Sequence, residues 1–224
     1  MARPTKSSSN YFLLILIIAI VIISTILSSF QFLSSNNRSA QLANIKIDLT
    51  LKNDDWIKGE KTAKAILIIY SDFQCPACRY YFPILKQLKN NFKDNELAII
   101  YRHFPLITIH KNAEAAAIAA EAAGLQGKFW EMHDLLFENQ DEWANENKPQ
   151  KIFLNYAKKL NLDLKKFEID LNSEELKNKV QNSYTEALSY GLEYTPTFIL
   201  NGEIIKNPSS FEEFYELIKQ KINI

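Results

Sequence analysis

The chain has 224 residues, two cysteines, and 26 basic against 26 acidic side chains, so its formal net charge is zero. No long run of one sign appears, which points away from nucleic acid or an anionic surface as partner. Two cysteines cannot build the dense disulfide framework of a small secreted scaffold, and a chain of this length has enough apolar content for a core without one.

In chain order, residues 1–10 read as a short polar N-terminus, and residues 11–33, "YFLLILIIAIVIISTILSSFQFL", form an uncharged apolar run. As a helix this run is roughly 35 Å long, enough for a hydrocarbon layer of about 30 Å, and it predicts a single transmembrane anchor. A cleaved signal peptide is the competing reading, but the run exceeds the usual apolar region of about 7–15 residues and lacks a clean small-x-small site. Arg3 and Lys6 precede it and only Arg38 follows closely, which predicts a cytoplasmic N-terminus and a domain outside the cytoplasmic membrane. Residues 34–42 read as a polar tether.

The remainder, 43–224, reads as one domain of alternating elements. Residues 43–51 alternate like a half-buried strand, 63–73 contain a continuous apolar strand, a helical pattern runs to about Phe92, and 96–104 form another buried strand. From 108 to 190 the pattern is helical, with Gly124 as a stop, Asn147 with Pro149 as a start, and Ser173 or Asn172 as a further start. The chain returns to a strand at 195–200, a hairpin turn at Asn201-Gly202, a strand at 203–206, and a last helix opened by a Ser209/Glu212 capping box. The expectation is an α/β core, 43–107 and 191–224, interrupted by a helical insertion over 108–190.

Cys75 and Cys78 sit in "YSDFQCPACRYYFP", at the turn from the first core strand into its helix. There, unpaired backbone N–H groups and the positive end of the helix dipole favour a thiolate at Cys75, and Pro76 fits a first helical turn without loss of a hydrogen bond. Cys78 lies one turn inward. These positions predict Cys75 as the attacking thiolate and Cys78 as the residue that resolves a mixed disulfide. Other chemistries fit less well. A closed zinc site needs about four ligands, and His103, His110 and His133 lack ligand spacing. A copper site would recruit thioethers, and Met1 and Met132 are the only methionines. A structural staple that closes so short a loop removes little chain entropy. No cofactor or metal is expected. Pro196 alone reads as an ordinary turn proline.

Taken together, "AILIIYSDFQCPACRYYFP", "IIYRHFPL", "HKNAEAAAIAAEAAGLQGKFWEMHDLLFENQ" and "EYTPTFILNG" resemble the DsbA-like branch of the thioredoxin superfamily, in particular its membrane-anchored bacterial members with C-P-x-C. The resemblance implies a thioredoxin fold with a helical insertion, a Cys75/Cys78 nucleophile and resolving pair, and a cis Thr195-Pro196 that faces them and binds substrate backbone. It also implies exported cysteine-containing proteins as substrates and a membrane partner that reoxidises the pair. Ala77 stands where strongly oxidising members carry histidine, and Ile69 stands where they bury an acid six residues before the first cysteine. Pro76 and Ala77 therefore tune the site, and a reductase or isomerase role, or a non-redox peptide-binding module, stays open beside disulfide formation. Pro83, which cannot give its N–H to Arg79, is expected to bend the helix, Asp72 to be a solvated turn residue, and Arg102 and His103 to be solvated at a strand edge.

Overall fold

The computed structural model describes residues 13, 15–31 and 51–223. It divides into two compact units, Met1–Asn44 and Ile45–Ile224. In the first, residues 15–31 form helix α1, with apolar side chains such as Ile17 and Ile22 exposed along it. Among the described residues no helix is long and apolar enough to cross a membrane. The outer residues of the 11–33 span, the 34–42 tether, and all of the strand expected over 43–51 except Leu51, which is in no strand, lie outside the described residues.

The second unit is a five-stranded mixed sheet with helices on its faces. Its strands are β1 (Trp56–Lys58), β2 (Ala65–Ser71), β3 (Leu97–His103), β4 (Thr197–Leu200) and β5 (Glu203–Ile205), in the order β1-β3-β2-β4-β5. Helix α2 (Pro76–Asn91) crosses from β2 to β3, which pair in parallel with Ser71 opposite His103; the other pairings are antiparallel. Six helices follow β3: α3 (Ala113–Gly124), α4 (Phe129–Glu138), α5 (Gln140–Trp143), α6 (Gln150–Lys159), α7 (Leu164–Asp170) and α8 (Glu174–Ser189). Helix α9 (Phe211–Ile222) ends the unit.

Strand periodicity explains the two cores. Leu67 and Ile69 point to the face covered by Leu88 of α2 and by Phe214 and Ile218 of α9, while Ile68 and Tyr70 point to the face with Phe104, Ala187 and Leu192. A third core gathers the insertion around Ala116, Ala119, Phe129, Trp143 and Phe153 and reaches Cys75 and Cys78. The small side chains of α3 let α4 and α8 approach closely.

Several local expectations hold in detail. Asn201 and Gly202 have φ of 50° and 86°, the left-handed pair that a tight hairpin needs. The Ser173 hydroxyl accepts from Leu176 N at the start of α8. Pro83 lies inside α2 and withholds one helical N–H. Other expectations are corrected. The last helix is capped one residue later, by Ser210 accepting from Glu213 N while Glu213 accepts from Ser209 N. Gly124 does end α3 as expected, but without a left-handed backbone, and packing also requires it because a Cβ there would run into the Trp56 indole. Trp56 belongs to β1, a strand the sequence did not suggest, and stacks on Phe129 with ring centroids 4.3 Å apart.

Asp72, Arg102 and His103 are all buried, contrary to the solvated roles expected of them. Arg102 donates through Nε and Nη2 to the two oxygens of Asp55 and through Nη1 to Tyr70 Oη, which donates to Glu186. His103 Nε2 lies 2.9 Å from Glu121 Oε1, and Lys179 and Trp56 also contact that carboxylate. Burial opposes the Glu121 charge, but these partners hold its pKa below the usual value.

Candidate active site

The site forms where β2 turns into α2. Cys75 is the N-cap of that helix, with extended backbone (φ −71°, ψ 124°), and Pro76 follows at the first helical position. Pro76 and Ala77 are exposed, whereas Cys75 and Cys78 are buried free thiols. Hydrogen bonding from the Cys78 thiol lowers the Cys75 pKa, burial opposes this, and Thr195 and the N–H groups of Cys78 and Ala77 assist, for a net fall to about 6. Burial pushes Cys78 the other way, well above the ordinary cysteine range, and hydrogen bonding to Cys75 adds to the effect. The two thiols are therefore unequal: one is set to ionise and lies at the helix start, the other holds its proton behind it.

Thr195-Pro196 is a cis peptide bond, and the Thr195 carbonyl oxygen accepts from Cys75 Sγ at 3.4 Å. The turn at the end of the insertion thus comes against the cysteine pair. The structure brings together Cys75, Cys78, Thr195 and Pro196, with Pro76 and Ala77 on the outer side.

The loop that carries Cys75 is fastened by Asp72, which the sequence suggested as a solvated turn residue, and by glutamines that sequence reasoning passed over. Asp72 accepts from Gln74 N at 2.7 Å and Leu106 N at 2.9 Å, and lies 2.6 Å from His110 Nδ1, while its own N–H points at Cys78 Sγ at 3.5 Å. Gln74 donates to Ala144 O and accepts from Asn112 N. Gln140 donates to the carbonyls of Phe73 and Cys75. Glutamines and asparagines 31 to 70 residues from their partners leave no periodic trace, so only the folded chain identifies them. Beside the loop, Tyr81 is buried and donates to Pro208 O, while Tyr80 is exposed.

This arrangement suits thiol-disulfide exchange: a nucleophilic sulfur, a protonated partner one helical turn away, and a neighbouring backbone that presents hydrogen-bonding groups to an extended peptide.

A family model described as thioredoxin matches residues 51–220. Among curated proteins, a segment of Na(+)/H(+) antiporter NhaA 3 from Salinispora tropica is 36% identical over 169 residues, 74% of this chain and 25% of that protein. Na(+)/H(+) antiporter NhaA 1 from Salinispora arenicola is 37% identical over 159 residues, 70% of this chain and 23% of that protein. The chain thus spans about a quarter of the length of the curated relatives it matches. Among solved structures, Wolbachia pipientis alpha-DsbA1 superposes with a TM-score of 0.70 at 20% identity, covering 78% of this chain and 94% of that one. Bacillus subtilis BdbD gives 0.66 at 22% identity with 75% and 92% covered, and the catalytic domain of Proteus mirabilis ScsC gives 0.65 at 18% with 79% and 93% covered. At such identities these likenesses show the fold.

Proposed function

Since the chain belongs to the thioredoxin family and is a thiol-disulfide oxidoreductase of DsbA-like fold, we propose that it forms disulfides in exported proteins outside the cytoplasmic membrane. The observation that carries this reading is the unequal pair: Cys75 depressed to about 6 at a helix start against Thr195-Pro196, and Cys78 raised behind it. A stabilised thiolate favours the dithiol form of the enzyme, which makes the disulfide form a better oxidant. Substrate thiols attack Cys75, the Cys75–Cys78 bond opens, and a second substrate thiol or Cys78 completes exchange. Thr195 and Pro196 hold the substrate backbone in this reading, and a membrane redox partner reoxidises the pair.

The apolar span 11–33 with Arg3 and Lys6 before it supports a single-pass anchor, with the N-terminus inside and the catalytic domain outside. The antiporter activity in the relatives' names belongs to those proteins, and the matched segment is a minor part of each.

A reductase or isomerase role is the second reading, favoured by Ala77 and Ile69 in place of the histidine and buried acid of the strongly oxidising members. Equilibration of the protein with glutathione separates the two. A potential near about −120 mV supports disulfide formation, and one near about −270 mV supports reduction. Membrane fractionation with protease protection tests the anchor and its orientation.

A further inference from the structure

Cys78 is 3% exposed, and its raised pKa means that it must lose a proton before it can attack Cys75. No acid stands beneath it on β2, where Ile69 packs into the apolar core between sheet, α2 and α9. A cavity of about 250 Å³ does open against it, between α2, α4 and the sheet. Its walls include Ser71, Cys78, Tyr101, His133 and Asp134, and it continues along α2 to Lys86 and Asn90, about two and three turns beyond Cys78. A cavity of that size has room for water; much of its lining is apolar, with Phe82, Leu85, Trp130 and Phe137 among it, and Ser71, Tyr101 and Asp134 are among the polar partners it offers.

His133 is the titratable ring in this cavity. Its Nδ1 lies 2.9 Å from Asp134 Oδ1. A carboxylate only accepts, so Nδ1 carries the proton and Nε2 presents a lone pair. Lys86 lies 3.2 Å from the other oxygen of Asp134 and favours its charged form. The titratable groups that face the ring are Lys58 of β1, Tyr101 and His103 of β3, and Asp134 beside it on α4, while Cys78 and Lys86 of α2 line the same cavity. Burial outweighs Asp134 and keeps the His133 pKa below its ordinary value, so the imidazole is neutral near pH 7 and takes a proton only in passing, which suits a relay and not a resting store. Tyr101 stands edge-on to it with centroids 5.0 Å apart, and the buried Tyr101 hydroxyl lies toward Ser71 and Cys78.

We propose that His133, oriented by Asp134, relays the proton of Cys78 during disulfide exchange, through the Tyr101 hydroxyl and water in this cavity; the proposal rests on the reading of Cys75 and Cys78 as the exchanging pair. When a substrate disulfide is reduced, the Cys75 thiolate attacks it, one substrate sulfur leaves as a thiolate, and the other is bonded to Cys75. Cys78 then passes its proton through the relay to His133 Nε2. The Cys78 thiolate attacks Cys75 Sγ, the Cys75–Cys78 bond forms, and the bond from Cys75 to the substrate breaks with its electron pair on the substrate sulfur. The substrate disulfide is reduced to two thiols, which take up protons from solvent, and the enzyme dithiol is oxidised. His133 returns its proton to solvent through the cavity. Disulfide formation in a substrate runs the same steps in reverse.

The test uses reduced protein and oxidised glutathione as the model disulfide, and follows separately the formation of the Cys75–glutathione adduct and its resolution by Cys78 as pH varies. In His133→Asn, resolution slows on the order of a hundredfold near neutral pH and its profile moves to higher pH. Formation of the adduct keeps its rate and profile. Asp134→Asn shifts resolution in the same direction by less, and decides the matter alone where His133→Asn fails to fold. Wild-type resolution rates and profiles in the folded variants overturn the relay and leave the exchange reading intact. A wild-type protein that never forms the adduct overturns both.

Discussion

Cys75 Sγ lies 3.4 Å from the carbonyl oxygen of Thr195, a contact between segments 120 residues apart that joins the helix start to the cis-proline turn. Two ends of the domain thereby converge on one sulfur. That sulfur has the Cys78 thiol, the Thr195 side chain and two backbone N–H groups around it, all of which favour its ionised form.

Alkylation of Cys75 reports this directly. The rate of reaction with iodoacetamide is expected to rise with pH to a plateau with its midpoint at about pH 6. In Cys78→Ala the midpoint moves up, because the Cys78 thiol is the largest single support of the thiolate. An unmoved midpoint in that variant would place the source of the shift elsewhere.

Linkage gives the reduced protein a pH-dependent stability. The folded Cys75 pKa of about 6 lies below its unperturbed value of 9.0, so the thiolate's contribution is complete above about 9 and is lost as pH falls through about 6. Chemical denaturation of the dithiol form is therefore expected to show stability that rises between those values relative to the disulfide form, which has no thiol to titrate. A difference between the two forms that stays constant across this window contradicts the assignment.

Gln140→Ala removes the donor to the buried carbonyls of Phe73 and Cys75. Arg79 N still reaches the Cys75 carbonyl, so the Phe73 carbonyl bears the loss. Equilibrium unfolding is expected to show a loss of about 1–3 kcal/mol, with faster local exchange in the loop 72–75.

Gly124→Ala tests the packing of β1 on the insertion. The added methyl meets the Trp56 indole, which is itself stacked on Phe129 and so cannot swing away freely. An unfolding measurement is expected to show about 1–3 kcal/mol of destabilisation, and a neutral result would mean that Trp56 does not hold this position.

Elements set by local rules were legible in the sequence. The β2–α2–β3 unit announces itself by apolar runs and the C-P-x-C turn, the β4–β5 hairpin by Asn201-Gly202, and the start of α8 by Ser173. What escaped depends on distant partners. Asp72 is buried because residues 106 and 110 come back to it, and Arg102 because Asp55 meets it from the approach to β1. β1 itself is three residues long and exists through its pairing with β3. At the last helix, Ser209 and Ser210 each precede an acid by three residues, and only the folded backbone selects Ser210. At the site, residue types and spacing pointed to Cys75 and Cys78. Thr195-Pro196 came from family resemblance, and the glutamine fastenings and the His133–Asp134 pair left no sequence signal.

The central claim is that Cys75 exchanges disulfides with protein thiols and Cys78 resolves the product. The most direct measurement follows oxidation of a reduced, unfolded model protein by the disulfide form, beside Cys75→Ala and Cys78→Ala. The account predicts disulfides with the wild-type protein, none with Cys75→Ala, and accumulation of adducts covalently bound at Cys75 in Cys78→Ala. Full oxidation by Cys75→Ala, or no adduct at Cys75 in Cys78→Ala, would contradict it.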